Sequence, residues 1–163
     1  NPVEEDDYID KDLSMKDYLS EIISSFKEIS QKNFIFNHDQ FSNLKKITKS
    51  IEIVYGLRNF IGNANKFSKE AIYINLKSDS VITEITIEDD GNGYPKDVLS
   101  KIGEPYLRSK DLTEKSKAGL GLGLFIGKTL LEKNFASINC RNSKTRSGAE
   151  VIIKWKNKDL FNI

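Results

Sequence analysis

Residues 117–131 read KAGLGLGLFIGKTLL, so three glycines alternate with leucines directly before an apolar run. Alternating glycine is costly in a helix or a strand, because each glycine loses additional backbone entropy on folding. The apolar run predicts a helix with one buried side, formed by Leu124, Phe125, Ile126, Leu130 and Leu131. A glycine turn that leads into a helix exposes free N–H groups at the positive end of the helix dipole, which suits phosphate.

Two common phosphate-binding motifs do not fit this stretch. The Walker pattern that would end at Gly127-Lys128-Thr129 needs a glycine where Leu122 stands. The dinucleotide pattern that would begin at Gly119 needs a glycine where Leu124 stands. A glycine-rich turn that packs closely against a neighbouring element is therefore a second interpretation of the run.

The composition indicates one domain with a sizeable core, because the chain has 163 residues. The net charge is +1, which gives no argument for a nucleic acid partner. A single cysteine, Cys140, excludes an intrachain disulfide, and no apolar run reaches the length of a membrane span. Because the first residue is Asn1 rather than methionine, we expect a piece of a longer protein.

The pattern along the chain predicts an acidic linker over 1–13 and a folded domain over 14–163. Helical spacing predicts a helix from Ser14, with Asp17 in a capping-box-like start, and a second helix over 50–68. Short strands are predicted at NFIFN and LKKIT, and a hairpin is predicted with its turn at 78–80. A short helix is predicted at YPKDVLSKI, and a terminal hairpin is predicted from SINCRN and AEVIIKWK. Residues 103–118 are polar and aperiodic, as in a loop. This mixture predicts an α+β two-layer sandwich.

Three polar residues share one face of the second predicted helix. Asn59, Asn63 and Lys66 are spaced i, i+4, i+7, and the apolar residues Ile53, Leu57, Phe60, Ile61 and Ala64 lie on the other side. Carboxamide oxygens can bind a hard cation such as Mg²⁺, and a lysine can meet a phosphate. An ordinary solvated helix face is the alternative interpretation.

The strand VITEITIEDDGNG carries an acid on its apolar face. By the two-residue period, Asp89 follows Val81, Thr83, Ile85 and Ile87 inward. A buried carboxylate needs a donor, and the exocyclic amino group of a bound base would serve. The glycines that follow, at 91 and 93, would leave room for a flat ring. The alternative is an Asp-Gly turn whose acid lies in solvent.

In order and spacing these segments resemble the boxes of histidine-kinase catalytic domains, which belong to the GHKL ATP-binding superfamily with gyrase, heat-shock chaperones and mismatch-repair ATPases. NFIGNANKFS resembles the N box, DDGNG the G1 box, GEPY the F box and GLGLGL the G2 box. Three segments resemble the RegB/PrrB-type redox-responsive sensor kinases in sequence: IEIVYGLRNFIGNANKF, IGEPYLRSK and GLGLGLFIGKTLLE. The resemblance implies the Bergerat fold, with a mixed, mostly antiparallel sheet packed on three helices.

The resemblance also implies a role for each matching residue at the base and metal end of an ATP site. Asn63 would coordinate Mg²⁺ between the ATP phosphates, Asn59 would assist metal or water, and Lys66 would neutralise phosphate charge. Asp89 would accept a hydrogen bond from the adenine amino group, and Gly91 and Gly93 would line the base.

At the phosphate end, the resemblance implies that residues 103–118 form the ATP lid. Arg108 and Lys110 would reach the phosphates, and Tyr106, where phenylalanine is commoner, would pack the base of the lid. The N–H groups of the run Gly119, Leu120, Gly121, Leu122 and Gly123 would cradle phosphate.

The mechanism implied is transfer of the ATP γ-phosphoryl to a histidine, which passes it to an aspartate of a response regulator. The one histidine, His38, lies in FNHDQF outside any H box and is expected to be solvated. The partners implied are therefore a dimerisation domain outside this sequence and a response regulator, with no nucleic acid. The chain is expected to be a cytoplasmic domain of a protein anchored in a bacterial inner membrane, unable to autophosphorylate alone.

Two other functions remain open from the sequence. Another GHKL ATPase or serine kinase is one, although gyrase-type members place a glutamate where Asn59 stands. A regulatory module that binds nucleotide without turnover is the other. Cys140 is expected to be a buried, inert thiol and Trp155 a core residue.

Overall fold

The computed structural model describes residues 12–41, 46–48, 50–102 and 120–161, without the side chains of residues 12, 48, 120 and 121. The elements follow one another as β1 Asp12–Ser14, α1 Met15–Lys27, β2 Asn33–His38, β3 Lys46–Thr48, α2 Ile51–Phe67, β4 Ala71–Ser78, β5 Ile82–Asp89, α3 Lys96–Ile102, α4 Leu120–Lys133, β6 Ser137–Asn142, β7 Ala149–Lys156 and α5 Asn157–Leu160.

A five-stranded sheet with the order β2-β4-β5-β7-β6 forms one layer. Its first pair, β2 and β4, is parallel, and the other pairs are antiparallel. The short strands β1 and β3 form a separate antiparallel pair. The α+β prediction is confirmed, since the inward faces of the strands share one apolar core with α1, α2 and α4. Trp155 is part of that core, as predicted, and its Nε1 donates to the Asn134 carbonyl at 3.0 Å.

The long helices begin where the sequence predicts. Ser14 caps α1, because its hydroxyl accepts from the Asp17 N–H at 3.2 Å. Ser50 caps α2 in the same way through the Ile53 N–H at 3.3 Å. The predicted apolar face of α2 is buried at Ile53, Leu57, Phe60, Ile61 and Ala64. Asn59 and Lys66 lie on the other side of the helix, whereas Asn63 lies at the edge of the buried face, beside Gly123 of α4.

Four features differ from the sequence-based expectations. Strand β1 begins at Asp12, within the expected linker, because it pairs with β3. The helix α5 was not predicted. Val81 was expected to face inward but is 62% exposed, because it lies in the turn that the Asp79 carboxylate closes before β5 begins.

The fourth difference concerns the glycine run, which was expected to be a turn with a helix from Leu124. Instead α4 already begins at Leu120. A Cβ on Gly123 would lie 3.0 Å from Asn63 Oδ1, and one on Gly127 would lie 2.8 Å from the Phe60 ring. Close packing of α4 on α2 therefore outweighs the poor helix propensity of glycine.

This packing predicts opposite effects for two helical glycine substitutions. Gly127→Ala should lower the free energy of unfolding by about 1–3 kcal/mol, because the new methyl overlaps the buried Phe60 ring. Gly62→Ala should raise it by about 0.5–1 kcal/mol, because its Cβ meets Phe26 at an ordinary 3.5 Å and alanine favours helix. Urea unfolding of both variants measures the two effects, and equal shifts would contradict the packing argument.

Candidate functional site

An open cleft lies where the last turns of α2 meet the end of β5 and the start of β7. The empty space in and at the mouth of this cleft, open solvent included, is about 510 Å³. Its walls combine apolar and aromatic side chains with a few polar groups, from Phe60, Asn63, Ala64, Phe67, Ile87, Asp89, Asn92, Gly93, Tyr94, Ala149 and Val151. Such a mixture is typical of small-molecule sites.

Among the described residues that line the cleft, Asp89 is the one that carries a carboxylate, and it lies inward as the strand period predicts. The residue is 4% exposed. Its Oδ1 accepts from the N–H groups of Gly91 at 2.8 Å and Ala149 at 3.2 Å. Within the described ranges no donor is paired with Oδ2, so this oxygen can accept a hydrogen bond from a ligand.

The acids on either side of Asp89 bind different segments of chain. Glu88 accepts from the Ser143 hydroxyl and forms an ion pair with Arg146 at 3.4 Å, which fixes the turn between β6 and β7. Asp90 accepts from the N–H groups of Lys69 at 2.8 Å and Glu70 at 3.1 Å, which fixes the turn between α2 and β4. The end of β5 is thus tied to both neighbouring turns.

The pKa values of the neighbouring Asp89 and Asp90 carboxyls shift in opposite directions. Burial raises the pKa of the Asp89 carboxyl above its ordinary value, although the N–H groups of Gly91 and Ala149 oppose the shift. For Asp90, burial also opposes ionisation, but the N–H groups of Glu70 and Lys69 outweigh it and lower the pKa. The carboxylate in the cleft is therefore the easier of the two to protonate.

Glycines let the chain approach itself closely beside Asp89. A Cβ on Gly91 would lie 2.1 Å from the Phe67 carbonyl oxygen, so a side chain there would force α2 and β5 apart. Gly93 has a φ of +81°, which favours glycine, and lies in the wall of the cleft. Asn142 then holds the next residue, because its Oδ1 accepts from the Tyr94 N–H at 2.6 Å.

Asn63 lies in the same cleft and contacts the first turn of α4 at Gly123. Its amide nitrogen is buried and has no hydrogen-bond partner among the described residues. A buried, unpaired amide N–H donor is unfavourable in the protein alone, and an acceptor oxygen of a ligand would satisfy it.

The other predicted site residues lie at or beyond the edge of this cleft. Asn59 is half-buried, and its amide nitrogen donates to the Tyr55 carbonyl of its own helix at 2.8 Å. Lys66 is exposed, with its ammonium 5.3 Å from the centre of the Phe67 ring. Leu120, Gly121, Leu122 and Gly123 form the first turn of α4, whose N–H groups have no partner within the helix. Tyr106, Arg108, Lys110, Gly119 and the predicted lid over 103–118 lie outside the described residues.

Sequence reasoning did not find the support that β7 gives to Asp89. A Cβ on Gly148 would lie 2.0 Å from the Asp89 carbonyl oxygen, and the next residue, Ala149, supplies an N–H. The glycine before the last strand is the signal that could have shown it. Asn142 and Val151 were also missed, because they reach the cleft only through the pairing of distant strands. The wall residues Phe67 and Tyr94 were missed although they lie close in sequence to Asn63 and Gly93.

Cys140 and His38 take no part in the cleft wall described above. The Cys140 side chain is half-buried, and burial raises the pKa of its thiol to about 12, which fits the expectation of an inert thiol. His38 is exposed at the end of β2, as predicted.

None of the helices in the described ranges is long and apolar enough to span a bilayer. Those ranges also hold no cluster of three His, Cys, Asp or Glu side chains fit for a metal ion.

The site can therefore bind a flat, mostly apolar ring that carries a hydrogen-bond donor. The apolar wall would cover the ring, Asp89 Oδ2 would accept from the donor, and Asn63 and the first turn of α4 would face a polar or charged extension. A purine with an exocyclic amino group and a phosphate tail has these properties.

Comparison with known proteins agrees with this geometry. Residues 48–159 match the model of the histidine kinase-, DNA gyrase B- and HSP90-like ATPase family. The chain is 37% identical over 124 residues to the sensor histidine kinase RegB of Cereibacter sphaeroides, which covers 67% of this chain and 27% of RegB. It is 26% identical over 148 residues to a putative NtrY-like sensor histidine kinase of Rickettsia bellii, which covers 88% of this chain and 23% of that protein.

A solved structure confirms the fold. The nucleotide-free catalytic domain of histidine kinase ThkA superposes with a TM-score of 0.69 at 20% identity, over 89% of this chain and 93% of that one. The chain spans about a quarter of the length of the curated relatives described above. It therefore belongs to the histidine kinase-, DNA gyrase B- and HSP90-like ATPase family, as an ATP-binding domain with the expected two-layer fold.

Proposed function

We propose that this chain is the catalytic domain of a sensor histidine kinase of the RegB type. It transfers the γ-phosphoryl of ATP to a histidine on a dimerisation domain that lies outside this sequence, for relay to an aspartate of a response regulator. The observation that carries the proposal is the meeting of Asp89 and Asn63 in one cleft, next to the first turn of α4.

In this proposal Asp89 selects adenine. Its Oδ1 is already engaged by two N–H groups, so Oδ2 accepts from the exocyclic amino group. Gly91 and Gly93 shape the turn that lines the ring, and Phe67 and Tyr94 supply apolar surface beside it. A guanine base, which presents a carbonyl where adenine has its amino group, would leave the carboxylate unpaired.

Asn63 is the residue proposed to hold Mg²⁺. The side chain lines the cleft, and its Oδ1 is a neutral oxygen ligand of the kind that hard cations bind. Its buried amide nitrogen, which lacks a partner among the described residues, would donate to a phosphate oxygen. The metal, when bound, would neutralise charge on the phosphates. The first turn of α4 (Leu120, Gly121, Leu122 and Gly123) would donate N–H groups to the phosphates, with Lys66, Arg108, Lys110 and Gly119 adding positive charge and further donors.

The residue at position 59 favours transfer over hydrolysis. Hydrolysis needs a base that removes a proton from water, and the Asn59 carboxamide cannot accept one. Its amide nitrogen is also bound to the Tyr55 carbonyl, which orients the side chain along the helix. An acceptor histidine positioned from outside would therefore compete well with water for the phosphoryl group.

The partners in this proposal follow from the order in which the phosphoryl group is transferred. The dimerisation domain supplies the acceptor histidine, because the exposed His38 lies at the end of β2 and away from the cleft wall. The domain would act on the cytoplasmic side, where ATP is available, and be joined to the membrane only through parts of the protein outside this sequence.

The first prediction is that ADP affinity depends on the ionisation of Asp89. Because burial raises the pKa of this carboxyl, the accepting form is lost at a higher pH than for an ordinary aspartate. Affinity should therefore fall as the pH falls through that pKa, by up to about tenfold per pH unit. Titration calorimetry with ADP across the acidic range measures this dependence.

The matched comparison uses two Asp→Asn variants. Asp89→Asn should weaken ADP binding at neutral pH by about tenfold or more and remove the acidic limb. Asp79→Asn makes the same change in the exposed turn before β5 and should bind as the wild type does, because its amide oxygen still accepts from Val81 and Ile82. An Asp89→Asn variant with wild-type affinity would refute the base-binding role.

The second prediction concerns Asn63 and phosphoryl transfer. With radiolabelled ATP, Mg²⁺ and a RegB-type dimerisation domain supplied separately, the chain should label a histidine of that domain. Asn63→Ala should lower the rate on the order of 100-fold or more, because the metal loses its protein ligand.

Asn37→Ala is the control for that assay, because Asn37 is exposed on the edge strand β2. It should transfer at the wild-type rate. Binding of ATP without any label on histidine, in the wild-type chain, would instead identify a nucleotide-binding module that does not transfer.

A further inference from the structure

We propose that Lys32, a residue outside every motif discussed above, is a positioning residue for the nucleotide cleft: its ammonium group fixes the last turn of α2 against the Asp89 turn. This inference rests on the proposed base-binding role of Asp89.

The Lys32 ammonium group donates hydrogen bonds to three carbonyl groups at the end of α2. It donates to the Asn65 carbonyl, to the Ser68 carbonyl at 2.7 Å and to the Lys66 carbonyl at 3.5 Å. Carbonyls at a helix C-terminus lack partners within the helix and carry the negative end of its dipole. A cation that meets several of them at once both satisfies and neutralises that end.

This last turn of α2 is also the wall of the cleft. Asn63, Ala64 and Phe67 all line it. The Phe67 carbonyl packs so closely on the β5 turn that a Cβ on Gly91 would lie 2.1 Å away. A small shift of the helix end would therefore move the cleft wall formed by α2. It would also move the Gly91 N–H, from which Asp89 accepts a hydrogen bond.

Asp90 holds the same segment from the other side. It accepts from the N–H groups of Lys69 and Glu70, directly after the carbonyls that Lys32 binds. The Ser30 hydroxyl adds a bond to Asn65 Oδ1 at 2.6 Å. The chain from Asn65 to Glu70 is thus clamped between a cation on its carbonyls and an anion on its N–H groups.

The charge of Lys32 also acts on Asp89. It lowers the pKa of the Asp89 carboxyl, whereas the neighbouring charge of Asp90 raises it. Among the described residues, the other groups that line the cleft around that carboxyl carry no charge at neutral pH. They are the buried Tyr94 hydroxyl, whose own pKa burial raises, the Ala149 N–H from β7, and Asn63, Ala64 and Phe67 from α2. Removal of Lys32 would therefore favour the protonated form of Asp89.

The test compares ADP binding by the 163-residue chain and three variants across the acidic range. Lys32→Met should weaken ADP binding by roughly three- to tenfold at neutral pH, and the ratio of wild-type to variant affinity should grow as the pH falls. That ratio cancels the titration of ADP itself. Lys32→Arg should restore most of the affinity, because it keeps the charge and the donors. Lys77→Met removes an exposed lysine of β4 and should match the wild type.

The outcomes separate this inference from the proposed function. A Lys32→Met profile like that of Lys77→Met would overturn the positioning role and leave the base-binding role of Asp89 standing. A loss that is the same at every pH and that Lys32→Arg does not restore would also overturn it, since general loosening of the fold gives that result. Absence of ADP binding by the wild-type chain would overturn the proposed function and this inference together.

Discussion

The structure depends on one costly feature, a carboxylate buried in an apolar cleft. Asp89 is tolerated there because two backbone N–H groups, from Gly91 and Ala149, share one of its oxygens. One donor comes from its own turn and the other from β7, which β5 meets only through the sheet. The position of β5 between β4 and β7 is therefore a condition for the site as well as a feature of the fold.

The three consecutive acids at the end of β5 make this point the centre of the site. Glu88 holds the β6–β7 turn, Asp89 faces the cleft, and Asp90 holds the turn that follows α2. Glu88 and Asp89 face opposite sides of the sheet, because successive residues of a strand do so, and Asp90 lies just past the end of β5. One short stretch can therefore anchor two turns and still present a carboxylate to a ligand. The geometry of the cleft is thus set at the carboxylate that is proposed to bind the base.

Local patterns predicted much of this arrangement. The two-residue period placed Asp89 inward, and this placement is confirmed. The helical period placed Asn63 opposite the core face of α2, whereas its amide nitrogen is buried and the side chain lies beside Gly123 of α4. The contributions of Lys32 and Ala149 could not be predicted, because each reaches the site through a pairing between distant parts of the chain. The start of α4 was misjudged because propensity counts the cost of glycine, whereas Gly123 and Gly127 are needed by the packing on α2.

The same packing explains why the cleft has an amide at one end and an acid at the other. Asn63 contacts Gly123 in the first turn of α4, whereas Asp89 contacts Gly91 and Ala149. A carboxylate in place of Asn63 would be attracted to the free N–H groups of α4 and would compete with phosphate for them. A neutral carboxamide leaves those groups available and still offers an oxygen to a cation. The buried carboxylate of Asp89 lies where the proposed base, rather than a phosphate, would meet it.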